Sequence, residues 1–319
     1  MTEENAVRRP GLAGAWSATP TPFTDEMQVD IESVKRMVEH HIRLGVKGLF
    51  LAGTCGEGPW MPNRERRTLV RTVAKYANGK LPLAVQVTDN SAARILDNIQ
   101  TAREDGASIA IIASPDFFLN PTPERVLKLY LEAVRASPLP VGIYDRGSFS
   151  AVPVPDSILK AIYAEPNVVL VKDSSLQPSR RAIALAARRK RPELRLLNGA
   201  EFNCVEYLQA GYDGLLLGGG IFNGYLAGKI IDAVAAGDLA LAERLQRRMN
   251  RIMYAVYGGK KLRCWLAGEK WLLVRMGIFQ TWKNFIGYPA SEKRGYALTE
   301  SCLRAIERVL ERDADVLFP

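Results

Sequence analysis

Val168-Val169-Leu170-Val171-Lys172-Asp173-Ser174 is a run of four apolar residues that ends on a lysine, and a helical stretch near 177–190 follows it. A short run that is apolar at every position, rather than at every second one, fits a strand covered on both faces. Strands of that kind belong to parallel sheets, in which a helix returns the chain after each strand. The same unit recurs on both sides. Strands are expected at Gly14–Ala18, Gly48–Ala52, Leu83–Val87, Ile109–Ala113, Val141–Tyr144, Val168–Lys172, Leu194–Asn198 and Gly214–Leu217. Helices are expected near 31–44, 63–77, 91–105, 123–136, 155–163, 177–190, 201–210 and 223–236.

Local chemistry supports these boundaries. Asp30 precedes Ile31 as an N-cap, and Thr122 caps a helix whose first residue is Pro123. Gly45, Gly106 and Gly211 each close a helix before a strand. Eight strand–helix units predict an α/β fold, the (β/α)8 TIM barrel. An open doubly wound sheet would carry a glycine-rich phosphate turn after its first strand, where this chain has Thr19-Pro20-Thr21-Pro22-Phe23. Beyond residue 236 only helices are expected, near 238–257, 264–277 and 296–312. The expected organisation is an N-terminal tail over 1–11, a catalytic barrel over 12–236 and a C-terminal helical extension over 237–319.

Composition narrows the function. No apolar run is long enough to span a membrane, and the opening Met-Thr-Glu-Glu-Asn has no apolar signal core. The four cysteines (Cys55, Cys204, Cys264 and Cys302) are far apart and read as reduced thiols, so a cytoplasmic protein is expected. The two histidines, His40 and His41, are adjacent on one helix, point in different directions and cannot share a metal. A net charge of +9 allows a nucleic-acid reading. The basic stretches Arg180–Arg195 and Arg244–Lys261 interleave with alanine, leucine and methionine, which fits solvated outer helix faces instead. No nucleic-acid partner and no membrane partner are expected.

In a barrel the reacting groups sit at the C-terminal ends of strands. Lys172 ends the sixth strand, where desolvation favours the free amine and makes it a nucleophile towards carbonyls; alternatively it snorkels outward or pairs with Asp173. Tyr144 ends the fifth strand, where its phenol can move a proton or simply pack at the rim. Gly53-Thr54-Cys55-Gly56-Glu57-Gly58 follows the second strand, and its glycines can expose backbone N–H groups to an anion.

Taken in order, these motifs resemble the dihydrodipicolinate synthase/N-acetylneuraminate lyase family of class I aldolases. The resemblance covers about residues 12–235 and includes Ala18-Thr19-Pro20-Thr21-Pro22-Phe23, Gly53-Thr54-Cys55-Gly56-Glu57, Tyr144, Val171-Lys172-Asp173 and Asn198-Gly199. It implies a homo-oligomer, a tetramer or a dimer, with no metal and no organic cofactor. Lys172 would form the Schiff base with a small 2-oxo acid such as pyruvate, and Tyr144 would transfer the proton. Thr54 and Cys55 would hold the substrate carboxylate.

Departures from the family pattern bear on the substrate. Cys55 replaces a threonine, and a thiol donates weakly. Phe117 and Phe118 stand where the synthase branch has a tyrosine relay, and Phe149 stands where it has a carboxylate-binding arginine. Dihydrodipicolinate synthesis itself is therefore not expected. Arg146 is a candidate carboxylate ligand, or it forms an exterior ion pair with Asp145 or Glu57. Gly199 and Glu201 lie where the lyase and sugar-acid branches bind hydroxyls; Glu201 could instead be a first-turn carboxylate favoured by the helix dipole. Gly218-Gly219-Gly220 leaves room for a ligand or serves tight chain reversal. Three functions follow: an aldolase that cleaves or forms a C–C bond, a dehydratase of a 2-oxo-3-deoxy sugar acid, or a non-catalytic 2-oxo-acid-binding barrel.

Overall fold

The computed structural model describes residues 11–286 and 298–319. Residues 1–10 of the expected tail and 296–297 of the expected last helix lie outside the described residues.

Eight parallel strands close on themselves in chain order. They are β1 (Gly14–Ala18), β2 (Gly48–Leu51), β3 (Leu83–Gln86), β4 (Ile109–Ala113), β5 (Val141–Asp145), β6 (Val168–Asp173), β7 (Arg195–Asn198) and β8 (Gly214–Leu217). The helices between them are α1 (Ile31–Leu44), α2 (Asn63–Ala77), α3 (Ala92–Glu104), α4 (Pro123–Ala136), α5 (Asp156–Ala164), α6 (Pro178–Lys190) and α7 (Cys204–Gln209), and α8 (Gly220–Ala235) follows β8. The TIM barrel read from the sequence is therefore the fold.

The expected caps are in place. Asp30 Oδ1 accepts from Ser33 N, Thr122 Oγ1 accepts from Arg125 N, and Gly45 closes α1 in the left-handed region. The seventh helix differs from expectation. A 3₁₀ turn over Glu201–Asn203 precedes α7, because Asn198 holds the preceding loop through Ala200 N and O, and Asn203 N then bonds back to Ala200 O.

Packing divides into two cores. One lies between strands and helices and contains Val141, Ile143, Val168 and Val171. The other fills the barrel interior and contains Trp16, Phe50, Ile111, Leu170, Leu197 and Leu216.

A register shift between β5 and β6 decides what faces the interior. Val141 pairs with Val168, but Gly142 pairs with Leu170, so Val169 is an extra residue on β6. Side chains alternate between faces along a strand, and one inserted residue inverts that alternation. Counted evenly from the outward-facing Val168, position 172 would also face outward. With the bulge, Lys172 lies beside Tyr144 on the inner face, and Asp173 lies beside Asp145 on the outer face.

Beyond the barrel run α9 (Leu239–Val256), α10 (Trp265–Arg275), α11 (Glu300–Arg312) and a short α12 (Ala314–Leu317) that the sequence reading did not anticipate. Helix α10 reaches the barrel: Leu266 belongs to the interior cluster.

The solvated-face reading of the basic stretch at 180–195 needs one correction. Arg180 is buried, donates to Val154 O and pairs with Asp145 and Asp156, because the outward turn of Asp145 demands a cation beneath α6. His40 and His41 are both buried on α1. His40 Nε2 lies 2.8 Å from Ile221 O, and His41 Nε2 lies 2.9 Å from Ser17 Oγ.

Candidate active site

Lys172 is 5% exposed and stands one residue before the end of β6, at the C-terminal mouth of the barrel. Its Nζ lies 4.4 Å from the centroid of the Tyr144 ring and 4.9 Å from that of Phe50. These rings meet edge to face, with centroids 5.8 Å apart. The amine is thus held against two aromatic rings. It does not snorkel outward, and it does not pair with Asp173. That carboxylate accepts from Tyr212 Oη at 2.6 Å, Ser175 Oγ at 2.7 Å and Ser175 N at 2.9 Å on the outer side.

A cavity of about 340 Å³ opens against Tyr144, the ring that covers the amine, and its walls also include Thr54, Trp60, Gln86 and Arg146. Arg146 Nη1 lies 3.9 Å from Asp116 Oδ1. The two exterior partners considered for Arg146 are engaged elsewhere, Asp145 with Arg180 and Glu57 with Lys270. Both of those carboxylates are buried, so neither reaches the surface where Arg146 would meet it.

The turn after β2 is tightly built. Glu57 N donates to Thr54 O, Gly58 N donates to Gly53 O, and Thr21 Oγ1 donates to Gly56 O at 2.7 Å. Gly58 is obligatory, because a Cβ there would lie 1.8 Å from Ala52 O. Thr54 faces the cavity. The Cys55 thiol turns away, towards Glu269 Oε2 at 3.4 Å and Gly218 O at 3.7 Å. Burial, reinforced by the Glu269 and Glu201 carboxyls, pushes this thiol well above its ordinary range, so it is a neutral donor and not a thiolate.

Gly199 and Gly218 place Glu201. A Cβ on Gly199 would lie 2.0 Å from Ser174 Oγ and 3.1 Å from Lys172 Cε, so the loop after β7 passes directly over the lysine stem. Gly218 faces Glu201: a Cβ on it would stand 3.6 Å from Oε1. The Glu201 carboxyl is not spent on its own turn. It crosses to accept from Gly219 N at 2.8 Å and Tyr257 Oη at 3.1 Å. Burial raises its pKa, although both donors and the Lys172 charge pull it down. Among the described residues, no group of three or more His, Cys, Asp or Glu side chains could hold a metal ion.

Several residues at this site were not singled out from the sequence. Phe50 is the second wall of the lysine. Tyr257, at the end of α9, holds Glu201. Glu269 and Lys270, adjacent on α10, grip the β2 turn from behind, through Cys55 and Glu57 respectively. Lys270 Nζ also donates to Lys283 O at 2.7 Å. The signal was available in Trp265-Leu266-Ala267-Gly268-Glu269-Lys270-Trp271-Leu272-Leu273, where two adjacent charges interrupt an otherwise apolar helix.

The family profile described as "Dihydrodipicolinate synthetase family" matches residues 11–282. The chain belongs to this family, and so to the aldolase-type lyases. It is 29% identical over 268 residues to 4-hydroxy-tetrahydrodipicolinate synthase of Rhizobium meliloti, covering 83% of this chain and 88% of that one. It is 27% identical over 279 residues to N-acetylneuraminate lyase of Salmonella paratyphi B, covering 87% of this chain and 86% of that one. Among solved structures, it is similar to YagE of E. coli K12, a prophage protein solved in complex with pyruvate. The TM-score there is 0.81 at 19% identity, over 96% of this chain and 99% of that one. Family members of both synthase and lyase name thus match most of the chain.

Proposed function

We propose that this chain is a class I aldolase whose Lys172 forms a Schiff base with pyruvate or a related 2-oxo acid, cleaving or forming a C–C bond. One observation carries the reading: the buried Lys172 amine lies 4.4 Å from the ring of Tyr144, and Tyr144 in turn lines a cavity together with Thr54 and Arg146. The amine attacks the C2 carbonyl, and Tyr144 passes the proton needed to expel water from the carbinolamine. Tyr144, having given up its proton, takes the C4 hydroxyl proton while the protonated imine accepts the electron pair of the C3–C4 bond, giving an enamine and an aldehyde; the enamine takes a proton at C3 and hydrolysis returns the 2-oxo acid and the free amine. Thr54, the backbone beside Cys55, and Arg146 hold carboxylates, and Gly199, lacking a side chain, lets the loop after β7 pass over the lysine stem without displacing it. The complexes of YagE and of the Acinetobacter baumannii dihydrodipicolinate synthase with pyruvate make pyruvate the first substrate to try.

A second reading, the dehydratase of a 2-oxo-3-deoxy sugar acid, is favoured by Glu201. Its raised pKa and its position across Gly218 suit a carboxyl that binds a substrate hydroxyl and protonates it as it leaves. The residues argue against dihydrodipicolinate synthesis itself, since the exposed Phe117 and Phe149 offer neither a hydroxyl nor a cation.

The enzyme works in the cytoplasm as a homo-oligomer, dimer or tetramer. No described helix is long and apolar enough to cross a membrane, and Trp60, Phe117, Leu119, Phe149 and Leu176 leave apolar surface on loops of the catalytic face. A panel of 2-oxo acids and 2-oxo-3-deoxy sugar acids tests the reaction. Lys172-dependent release of pyruvate establishes the aldolase, and Lys172-dependent loss of water establishes the dehydratase. Binding without any turnover would leave a ligand-binding barrel in its place.

A further inference from the structure

Glu269 is a buried carboxyl that the proposed chemistry does not use. It lies on α10 with no exposed surface; its Oε2 accepts from Cys55 Sγ at 3.4 Å, and its Oε1 meets no hydrogen-bond partner. Its chain neighbour Lys270 is committed to Glu57 and to Lys283 O. The titratable groups that face Glu269 are Cys55 from the β2 turn, Glu201 from the loop after β7 and Tyr257 from the end of α9, with Lys270 on its own helix. A carboxylate in such a place is costly, and burial favours the protonated form. Burial first, and then the Glu201 carboxyl, hold Glu269 well above the ordinary carboxylate range.

Cys55 stands one residue after Thr54, which lines the cavity, and its thiol points the other way, into α10. We propose that Glu269 is a positioning residue for the substrate carboxylate: by holding the Cys55 thiol, it fixes the Gly53–Gly56 turn in the shape that receives the anion. The proposal rests on the Schiff-base reading above and adds a residue of the C-terminal helices to it.

The charge state matters as much as the contact. A protonated Glu269 leaves the turn free of negative charge from behind. An ionised one would set a negative charge against the bound carboxylate in a low-dielectric interior, where like charges repel strongly. Affinity for a 2-oxo acid therefore falls as pH rises through the raised pKa of Glu269. Glutamine keeps an acceptor oxygen and cannot ionise, whereas leucine keeps the bulk and loses the acceptor.

The test uses the full chain and measures how the yield of borohydride-reduced pyruvate adduct depends on pyruvate concentration, from neutral to alkaline pH, with thermal unfolding as a check on the fold. The half-saturating pyruvate concentration of Glu269→Leu at neutral pH is expected to rise about tenfold, with the limiting adduct yield unchanged, and that of Glu269→Gln to stay within about twofold of wild type. At alkaline pH the wild-type half-saturating concentration rises more steeply than that of Glu269→Gln. Wild-type behaviour in Glu269→Leu, or an identical pH profile in wild type and Glu269→Gln, overturns the proposal. Should the leucine variant not fold, the glutamine profile decides alone. If the wild type forms no adduct with any 2-oxo acid, the Schiff-base reading fails first and takes this one with it. Adducts formed with indistinguishable profiles sink the positioning role alone.

Discussion

At the level of single residues, the proposed chemistry depends on two side chains that face each other across β5 and β6. Tyr144 and Lys172 are register partners, so their relative position is set by backbone hydrogen bonds and not by loop conformation. Tyr144→Phe keeps the ring that covers the amine and removes only the proton carrier. Turnover should fall by about 10²–10⁴, while the pyruvate imine still forms and can be reduced. Equal loss of imine formation and turnover would show that the phenol matters for binding instead. Much of this site was legible in the sequence, since Lys172, Tyr144 and Thr54 each fall where a strand pattern breaks into polar residues. Lys172 was legible as a strand end, but its inward direction was not. That direction depends on the unpaired Val169, and nothing in four consecutive apolar residues marks which of them is extra.

At the element scale, α10 is the least expected contributor. Periodicity placed a helix near 264–277, and the structure has Trp265–Arg275, but periodicity gives no direction to a helix that is apolar almost all round. Its Glu269-Lys270 step makes sense only once the β2 turn is seen beneath it, with Glu57 in the left-handed region at φ 58° and paired to Lys270. Both members of that pair are fully buried, so removing one leaves an uncompensated charge. Lys270→Met should cost about 3–5 kcal/mol in urea unfolding, and the double variant Glu57→Gln/Lys270→Met should regain a substantial part of it. A single variant as stable as wild type would mean that the pair is not closed in solution. The extra 3₁₀ turn at Glu201 has a similar origin, because the Asn198 side chain competes for the backbone of the loop, and an apolar-periodicity reading is blind to that competition.

At the scale of the whole molecule, buried titratable groups limit stability as pH moves in either direction. Burial lowers His40 to about 4 and His41 to about 3. The unfolded chain binds those protons near pH 6.5, so stability falls as pH drops below that value, by about 2 kcal/mol per histidine at pH 5. In the other direction, Glu201 and Glu269 have raised folded pKa values. Their contribution is complete below the ordinary carboxylate range and is lost as pH rises through the folded values. Unfolding midpoints across this range should trace a dome, and His41→Asn should flatten its acid side. An acid side that is unchanged in that variant would remove His41 from the account.

Borohydride reduction in the presence of pyruvate, followed by peptide mapping by mass spectrometry, reads the imine on Lys172 itself. A reduced pyruvyl adduct is expected on the peptide that carries Lys172, and none in a folded Lys172→Ala variant. A well-folded wild type without an adduct, or an adduct that survives the loss of Lys172, would contradict the Schiff-base mechanism.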